Sequence, residues 1–240
     1  MRKVLSPTLS VNAKSYMWGE DLFKIAQHCE KVAVETGLTV EIQVNYCDIR
    51  KVKELCPHLV IFAQYCDDID AGNMMGGITA GMLKEAGADG VVINHAGSRP
   101  ITLHQLVNIT RRAKEAGLKT NICVDNATEA AMVAHLHPTC IVVEQNDKIG
   151  TDQIASEEYI AETIAAIRAI DKDVLIAQGA GIRTGADCYR NIKLGAFGGG
   201  GASGIFKSED PIATIDEYVQ NGILKAREDF GVKELYTLDD

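Results

Sequence analysis

Glu144, His95 and Lys14 have the chemical types needed to move a proton beside a carbonyl group, and each follows a run of β-branched or apolar residues: CIVVE, GVVINH and LSVNAK. A carboxylate at the end of a buried strand needs a partner or a task, because leaving it bare in a dry interior is costly. In that task Glu144 removes a proton from the carbon next to the carbonyl. Neutral His95 polarises the carbonyl oxygen and shuttles protons, while Lys14 offsets the charge gathering on the enediolate. Asn12, two residues before Lys14, is placed to position the substrate. Two of these residues also have a plainer reading. Lys14 can be a solvated loop lysine and His95 a core histidine satisfied by its neighbours.

Two glycine-rich turns, QGAGIRTG at 178–185 and GGGGASGIF at 198–206, bring a second kind of chemistry. Glycine serves any tight corner, but backbone N–H groups exposed in such turns, or at the start of a short helix, also hold anions. The net charge of −9 and the lack of a basic stretch exclude a nucleic-acid partner, so any anionic ligand must be held locally.

These residues must be positioned by elements that alternate along the chain. Strands are expected at 4–11, 39–44, 59–63, 90–94, 120–124, 140–144, 174–178 and 196–200. Between them, segments such as EDLFKIAQHCEKVAVET, TLHQLVNITRRAKEAG, EEYIAETIAAIRAI and DPIATIDEYVQNGILKARED repeat apolar residues every three or four positions and read as amphipathic helices. Consecutive parallel strands need a crossover helix. Units of about 30 residues, eight of them in 240 residues, close a (β/α)8 barrel. A doubly wound sheet would carry a G-x-G-x-x-G turn after its first strand, where this chain reads LSVNAKSY. No linker or low-complexity segment divides the chain, so residues 1–240 are read as a single α/β domain with the tail ELYTLDD on its surface. Barrel chemistry is done at the carboxyl ends of the strands, where Asn12–Lys14, His95 and Glu144 fall, and phosphate sites commonly follow the last two strands. A helix beginning near His95 would depress its pKa and keep the ring neutral.

Seven cysteines without a C-x-x-C pair give neither a disulfide framework nor a zinc site, and fit a reducing cytoplasm. MRKVLSPTLSVN has no apolar leader core, and no apolar run is long enough to span a bilayer, so no membrane association is expected. His135 and His137 in HLHP precede a proline and read as a surface turn, not a metal site.

From VNAKSY to GIFKSEDP the chain resembles the triosephosphate isomerase family in its compact, archaeal-like form. The motifs that carry the resemblance are Asn12-x-Lys14, Ala63-Gln64, His95, Glu144, Ile149-Gly150-Thr151, Gly179–Ile182 and Ala202-Ser203. It implies a TIM barrel with Lys14, His95 and Glu144 catalytic. Asn12, Lys14, Ile149, Gly150, Gly181, Ala202 and Ser203 would bind substrate, with the N–H groups of Gly150 and Gly181 on its phosphate. It implies no metal and no cofactor, a small phosphorylated sugar as substrate, and a homo-oligomer, dimer or tetramer, in which Trp18 and Met74-Met75 make a subunit contact. The reaction implied is the interconversion of glyceraldehyde 3-phosphate and dihydroxyacetone phosphate of glycolysis and gluconeogenesis.

Three places depart from the family pattern. His95-Ala96-Gly97 replaces His-Ser-Glu and so loses a carboxylate beside the lysine; Met75-Gly76-Gly77 replaces a polar loop tip; and the lid reads QNDKIGTD without prolines, with Asp152 bringing negative charge towards the phosphate. These keep other readings open: an isomerase of another short phosphosugar such as a tetrulose phosphate, a non-catalytic phosphosugar-binding protein, or a Schiff-base aldolase acting through Lys14.

Overall fold

The computed structural model describes residues 2–238. Eight parallel strands, β2 (Thr8–Asn12), β3 (Val40–Val44), β4 (Val60–Ala63), β5 (Gly90–Ile93), β6 (Lys119–Val124), β7 (Cys140–Val143), β8 (Leu175–Gln178) and β9 (Gly198–Gly201), pair in chain order, with β9 returning to β2. Between β8 and β9 the ring is joined by the Phe197 N–H donating to the Ile176 carbonyl at 3.0 Å. Outside lie α1 (Gly19–Thr36), α2 (Ile49–Leu55), α3 (Ala80–Ala86), α4 (Leu103–Glu115), α5 (Ala127–Ala134), α6 (Glu157–Arg168), α7 (Gly185–Lys193), α8 (Ser203–Phe206), α9 (Pro211–Tyr218) and α10 (Lys225–Phe230), the last two joined by a π-helical stretch over Val219–Leu224. This is the (β/α)8 barrel expected from the sequence.

Side chains alternate along each strand, so every second residue faces the helices. Leu9 and Val11, Val40 and Ile42, Ile61, Val91 and Ile93, Ile122, Ile141 and Ile176 all face outward into the main apolar core with Leu22, Ile25, Ile109 and Ile167 of the helices. The inward set is different. Thr8 and Ser10, Glu41 and Gln43, Asn121, Cys140, Ala177 and the inward glycines of β9, Gly198 and Gly200, line the space within the barrel, where branched apolar side chains ordinarily fill such interiors. Only the β4–β6 side is bulky, with Val60, Phe62, Val92 and Cys123 packed together.

The first expected strand, 4–11, is two strands. Pro7 supplies no N–H donor, and on either side of it β1 (Arg2–Ser6) and β2 take separate partners. β1 pairs antiparallel with β10 (Lys233–Leu238), so the tail read as surface is instead a strand. Val4 and Leu238 are buried against Val60, Phe62 and Val92 and close the amino-terminal mouth of the barrel. Asp239 and Asp240 lie outside the described residues, as does Met1.

Candidate active site

Asn12, Lys14, His95, Glu144, Ile149, Gly150, Gly181, Ala202 and Ser203, singled out at six separate places in the chain, line one cavity of about 110 Å³ at the carboxyl end of the barrel. Lys14 stands two residues beyond β2, His95 two beyond β5 and Glu144 one beyond β7. Asn94, expected to end its strand, lies outside it with φ of 62° and donates through Nδ2 to the Cys123 carbonyl at 2.9 Å. That contact fixes the turn from which His95 projects.

The His95 ring is held by a single protein hydrogen bond, 2.8 Å from the Gly97 N–H to Nδ1. A nitrogen that accepts an N–H carries its lone pair there, so the ring proton of the neutral imidazole sits on Nε2. Nε2 is buried without a partner and lies 3.5 Å from Glu144 Oε2. Burial lowers the pKa of His95, Lys14 pushes it lower still, and Glu144 opposes them. The expected helix at this point is absent. Residues 96–101 are turn and coil, and α4 begins at Leu103 behind a capping box of Thr102 and Gln105. Desolvation, with one N–H in place of a helix terminus, keeps the imidazole neutral.

Glu144 Oε1 accepts from the Ala180 N–H at 3.3 Å, which ties the carboxylate to the loop after β8. A Cβ at Gly179 would lie 2.3 Å from Glu144 Cγ, so only glycine leaves room for this side chain. Lys14 has φ of 44°. Its N–H donates to Asn12 Oδ1 at 2.9 Å, and its carbonyl accepts from Gln64 Nε2 at 3.0 Å.

The lid after Glu144 starts as a single 3-10 turn over Asn146–Lys148. Its rear end packs on the glycine loop: Gly181 has φ of 68°, and a Cβ there would fall 2.2 Å from the Gln153 carbonyl oxygen. Asp152, expected to carry negative charge towards the phosphate, is paired with Arg183, so that charge is balanced. The loop of the second departure is open to solvent, with Met75 96% and Met74 64% exposed and Trp18 67%. His137 donates through Nδ1–H to Asp171 Oδ2 at 2.8 Å on the surface, away from the cavity.

Sequence reasoning missed the polar floor beneath the cavity. Glu41 Oε1 accepts from Gln43 Nε2 at 2.9 Å and from Asn121 Nδ2 at 3.2 Å, and Gln43 also donates to Ser10 Oγ at 3.3 Å. Burial raises the Glu41 carboxyl to about 7, against the pull of these donors. The signal was available in VEIQV, where two polar residues alternate with apolar ones in a strand whose outer face had to be apolar.

A parallel barrel with a carboxylate, a neutral imidazole and an ammonium on one cavity at its carboxyl end has the equipment of the barrel isomerases that transfer protons beside a carbonyl. Residues 7–218 match the family model described as Triosephosphate isomerase. The chain is 34% identical over 230 residues to the triosephosphate isomerase of Sulfolobus acidocaldarius, covering 94% of this chain and 98% of that one. With that of Metallosphaera sedula it shares 35% over 228 residues, covering 93% and 98%. The crystal structure of triosephosphate isomerase from Bartonella henselae superposes with a TM-score of 0.67 at 20% identity, covering 90% of this chain and 100% of that one, a likeness of fold. The chain belongs to the triosephosphate isomerase family.

Proposed function

We propose that this protein interconverts glyceraldehyde 3-phosphate and dihydroxyacetone phosphate, with Glu144 as the base, His95 as the electrophile and Lys14 as the countercharge to the enediolate. One observation carries the reading: the unpartnered His95 Nε2 stands 3.5 Å from a Glu144 oxygen at the mouth of a cavity that Lys14 also lines. In the forward step Glu144 takes a proton from the carbon next to the carbonyl. The carbonyl oxygen, facing His95 Nε2–H, gains negative charge that the ring N–H and the Lys14 ammonium stabilise. The same carboxyl returns the proton to the neighbouring carbon, and His95 moves the hydroxyl proton between the two oxygens. A neutral ring suits this role because its weakly acidic Nε2–H is closer in acidity to the enediol hydroxyls than an imidazolium N–H would be. Asn12 holds the substrate beside Lys14, while Ile149, Gly150, Gly181, Ala202 and Ser203 surround its phosphate, the glycines through main-chain N–H groups.

Residues 1–240 act as one barrel domain in this reading, supported by the pairing of the first strand with the last across the barrel mouth. Exposed Trp18, Met74 and Met75 support a homo-oligomeric assembly. All seven cysteines are free thiols, and six are buried, which suits a reducing cytoplasm. No helix among the described residues is long and apolar enough to cross a membrane.

A coupled assay with both triose phosphates on wild type and Glu144→Gln tests the proposal. Turnover falls by at least about 10²-fold in the variant with the fold retained by circular dichroism, since a lost general base alone accounts for about 10²- to 10⁴-fold. Comparable activity in the two proteins rejects the assigned base. A tetrulose phosphate turned over faster than the triose phosphates rejects the substrate and keeps the base.

A further inference from the structure

The carboxyl end of α9 grips the loop after β8 at two points. Tyr218 is fully buried, and its hydroxyl donates to the Ile182 carbonyl at 3.0 Å. Glu217, one residue earlier, accepts the Gly185 N–H on Oε2 at 2.8 Å. Ile215, Tyr218 and Val219 form the face that packs into the core here, so the ring arrives with its apolar body and the hydroxyl needs a partner. Ile182 follows Gly181, which lines the cavity and whose N–H donates to no described residue. The neighbouring tethers end short of this point. Ala180 gives its N–H to Glu144, and Arg183 turns its own back to Asp187 Oδ2 at 3.0 Å. Across Gly181 and Ile182, the Tyr218 hydroxyl therefore makes the one side-chain hydrogen bond among the described residues. Ala180 and Gly181 both have left-handed backbone, with φ of 65° and 68°, a conformation that a residue with a Cβ keeps only where its surroundings hold it. The same hydroxyl abuts the other glycine-rich turn: a Cβ at Gly204, beside Ser203, would lie 2.5 Å from it and press on the Ile182 carbonyl oxygen. Burial raises the Tyr218 pKa above its ordinary 10, so the hydroxyl remains a donor at neutral pH.

We propose that Tyr218 and Glu217 are positioning residues for the phosphate end of the site, holding Ile182 and Gly185 so that the Gly181 N–H keeps its aim into the cavity. The proposal rests on the reading that Gly181 binds the substrate phosphate. Neither side chain lines the cavity, so each acts through the loop it holds and not on the substrate.

The test is Tyr218→Phe, which keeps the ring and removes the donor. It is read by steady-state kinetics with glyceraldehyde 3-phosphate and by calorimetric affinity for 2-phosphoglycolate, with folding checked by circular dichroism. KM and the phosphoglycolate Kd should each rise by about 3- to 10-fold, the effect of one lost hydrogen bond, while kcat stays within about threefold. A rise below about twofold in Kd overturns the proposal, and so does a fall in kcat with KM unchanged. Phosphate-free glyceraldehyde, followed by proton–deuterium exchange, separates positioning from general loosening. Its kcat/KM should change by less than about twofold, because no phosphate is there to meet the loop; a loss equal to that of the phosphorylated substrate overturns the proposal. If Tyr218→Phe fails to fold, Glu217→Met releases the other end of the loop: a phosphoglycolate Kd raised by about twofold or more supports the proposal, and an unchanged one overturns it. Wild-type protein that binds phosphoglycolate but leaves triose phosphates unchanged removes the functional reading only, and the affinity comparison still decides the role of Tyr218. Wild-type protein that binds neither phosphoglycolate nor inorganic phosphate overturns the proposal.

Discussion

Replacing Glu41 by glutamine should stabilise the protein at pH 8 and do far less at pH 5. The carboxyl is 5% exposed, with two side-chain amides and a hydroxyl around it and no cation, so burial dominates and lifts it from its ordinary 4.5 to about 7. The folded state therefore favours the protonated form. Its contribution to stability is fully present below pH 4.5, is lost as the pH climbs from 4.5 towards 7, and stays lost above that. At about 1.4 kcal/mol per pH unit, the interval corresponds to about 3 kcal/mol, of which about 2 to 3 kcal/mol is lost between pH 5 and pH 8. Glutamine keeps an oxygen to accept from Gln43 and Asn121 and adds a donor for Ser10, without the titration. Cys140 and Tyr236, which feel Glu41 most directly, are pushed well above their ordinary values by burial and stay protonated throughout this window. Equilibrium urea unfolding of both proteins at the two pH values measures the effect. The gap between Glu41→Gln and wild type should widen by about 2 to 3 kcal/mol at pH 8. Curves separated by the same gap at both values would refute the argument that the interior carboxyl is held in a dry, cation-free floor.

Three further outcomes follow from particular contacts. Nitrogen NMR of His95 should show a neutral ring with its proton on Nε2 at pH 7, because burial, aided by Lys14 and opposed by Glu144, holds its pKa below the ordinary 6.5; a midpoint at or above that value contradicts the assignment. Gly181→Ala should raise KM for triose phosphates and cost at least about 1 kcal/mol in stability, since φ of 68° is left-handed and the new methyl meets the Gln153 oxygen at the lid's rear. Unchanged KM would detach that loop from the phosphate. Thr102→Ala removes a capping box and should destabilise by about 1 kcal/mol in thermal or urea unfolding, with kcat unaffected because α4 starts well beyond His95.

Much of the site was legible because each of its parts is announced locally. A β-branched run followed by polar residues marks a strand exit, as at Ile93 before Asn94-His95 and at Val143 before Glu144, and a glycine cluster marks the turn after β8, whereas the four glycines read as the start of a second turn are β9 itself. Strand limits moved by a residue or two where no side chain announces the last ladder bond, as at Asn94. The role of the tail was hidden for a different reason. ELYTL has the alternation of a strand, but its partner Val4 is over two hundred residues away, and local pattern cannot report such a pairing.

The sequence by itself determined the barrel, the strand exits and the chemical types at them, since hydrophobic periodicity and glycine placement are short-range properties of the chain. Only the tertiary structure decided what surrounds each group. The neutral ring of His95 comes from burial and the Gly97 N–H, where a helix terminus was expected, and the charge of Asp152 is cancelled by Arg183 from another loop. The polar interior arises because Ser10, Glu41, Gln43 and Asn121 meet from three different strands. Hydrogen bonds and desolvation depend on distances between residues far apart in the chain, and those distances exist only once the barrel has closed.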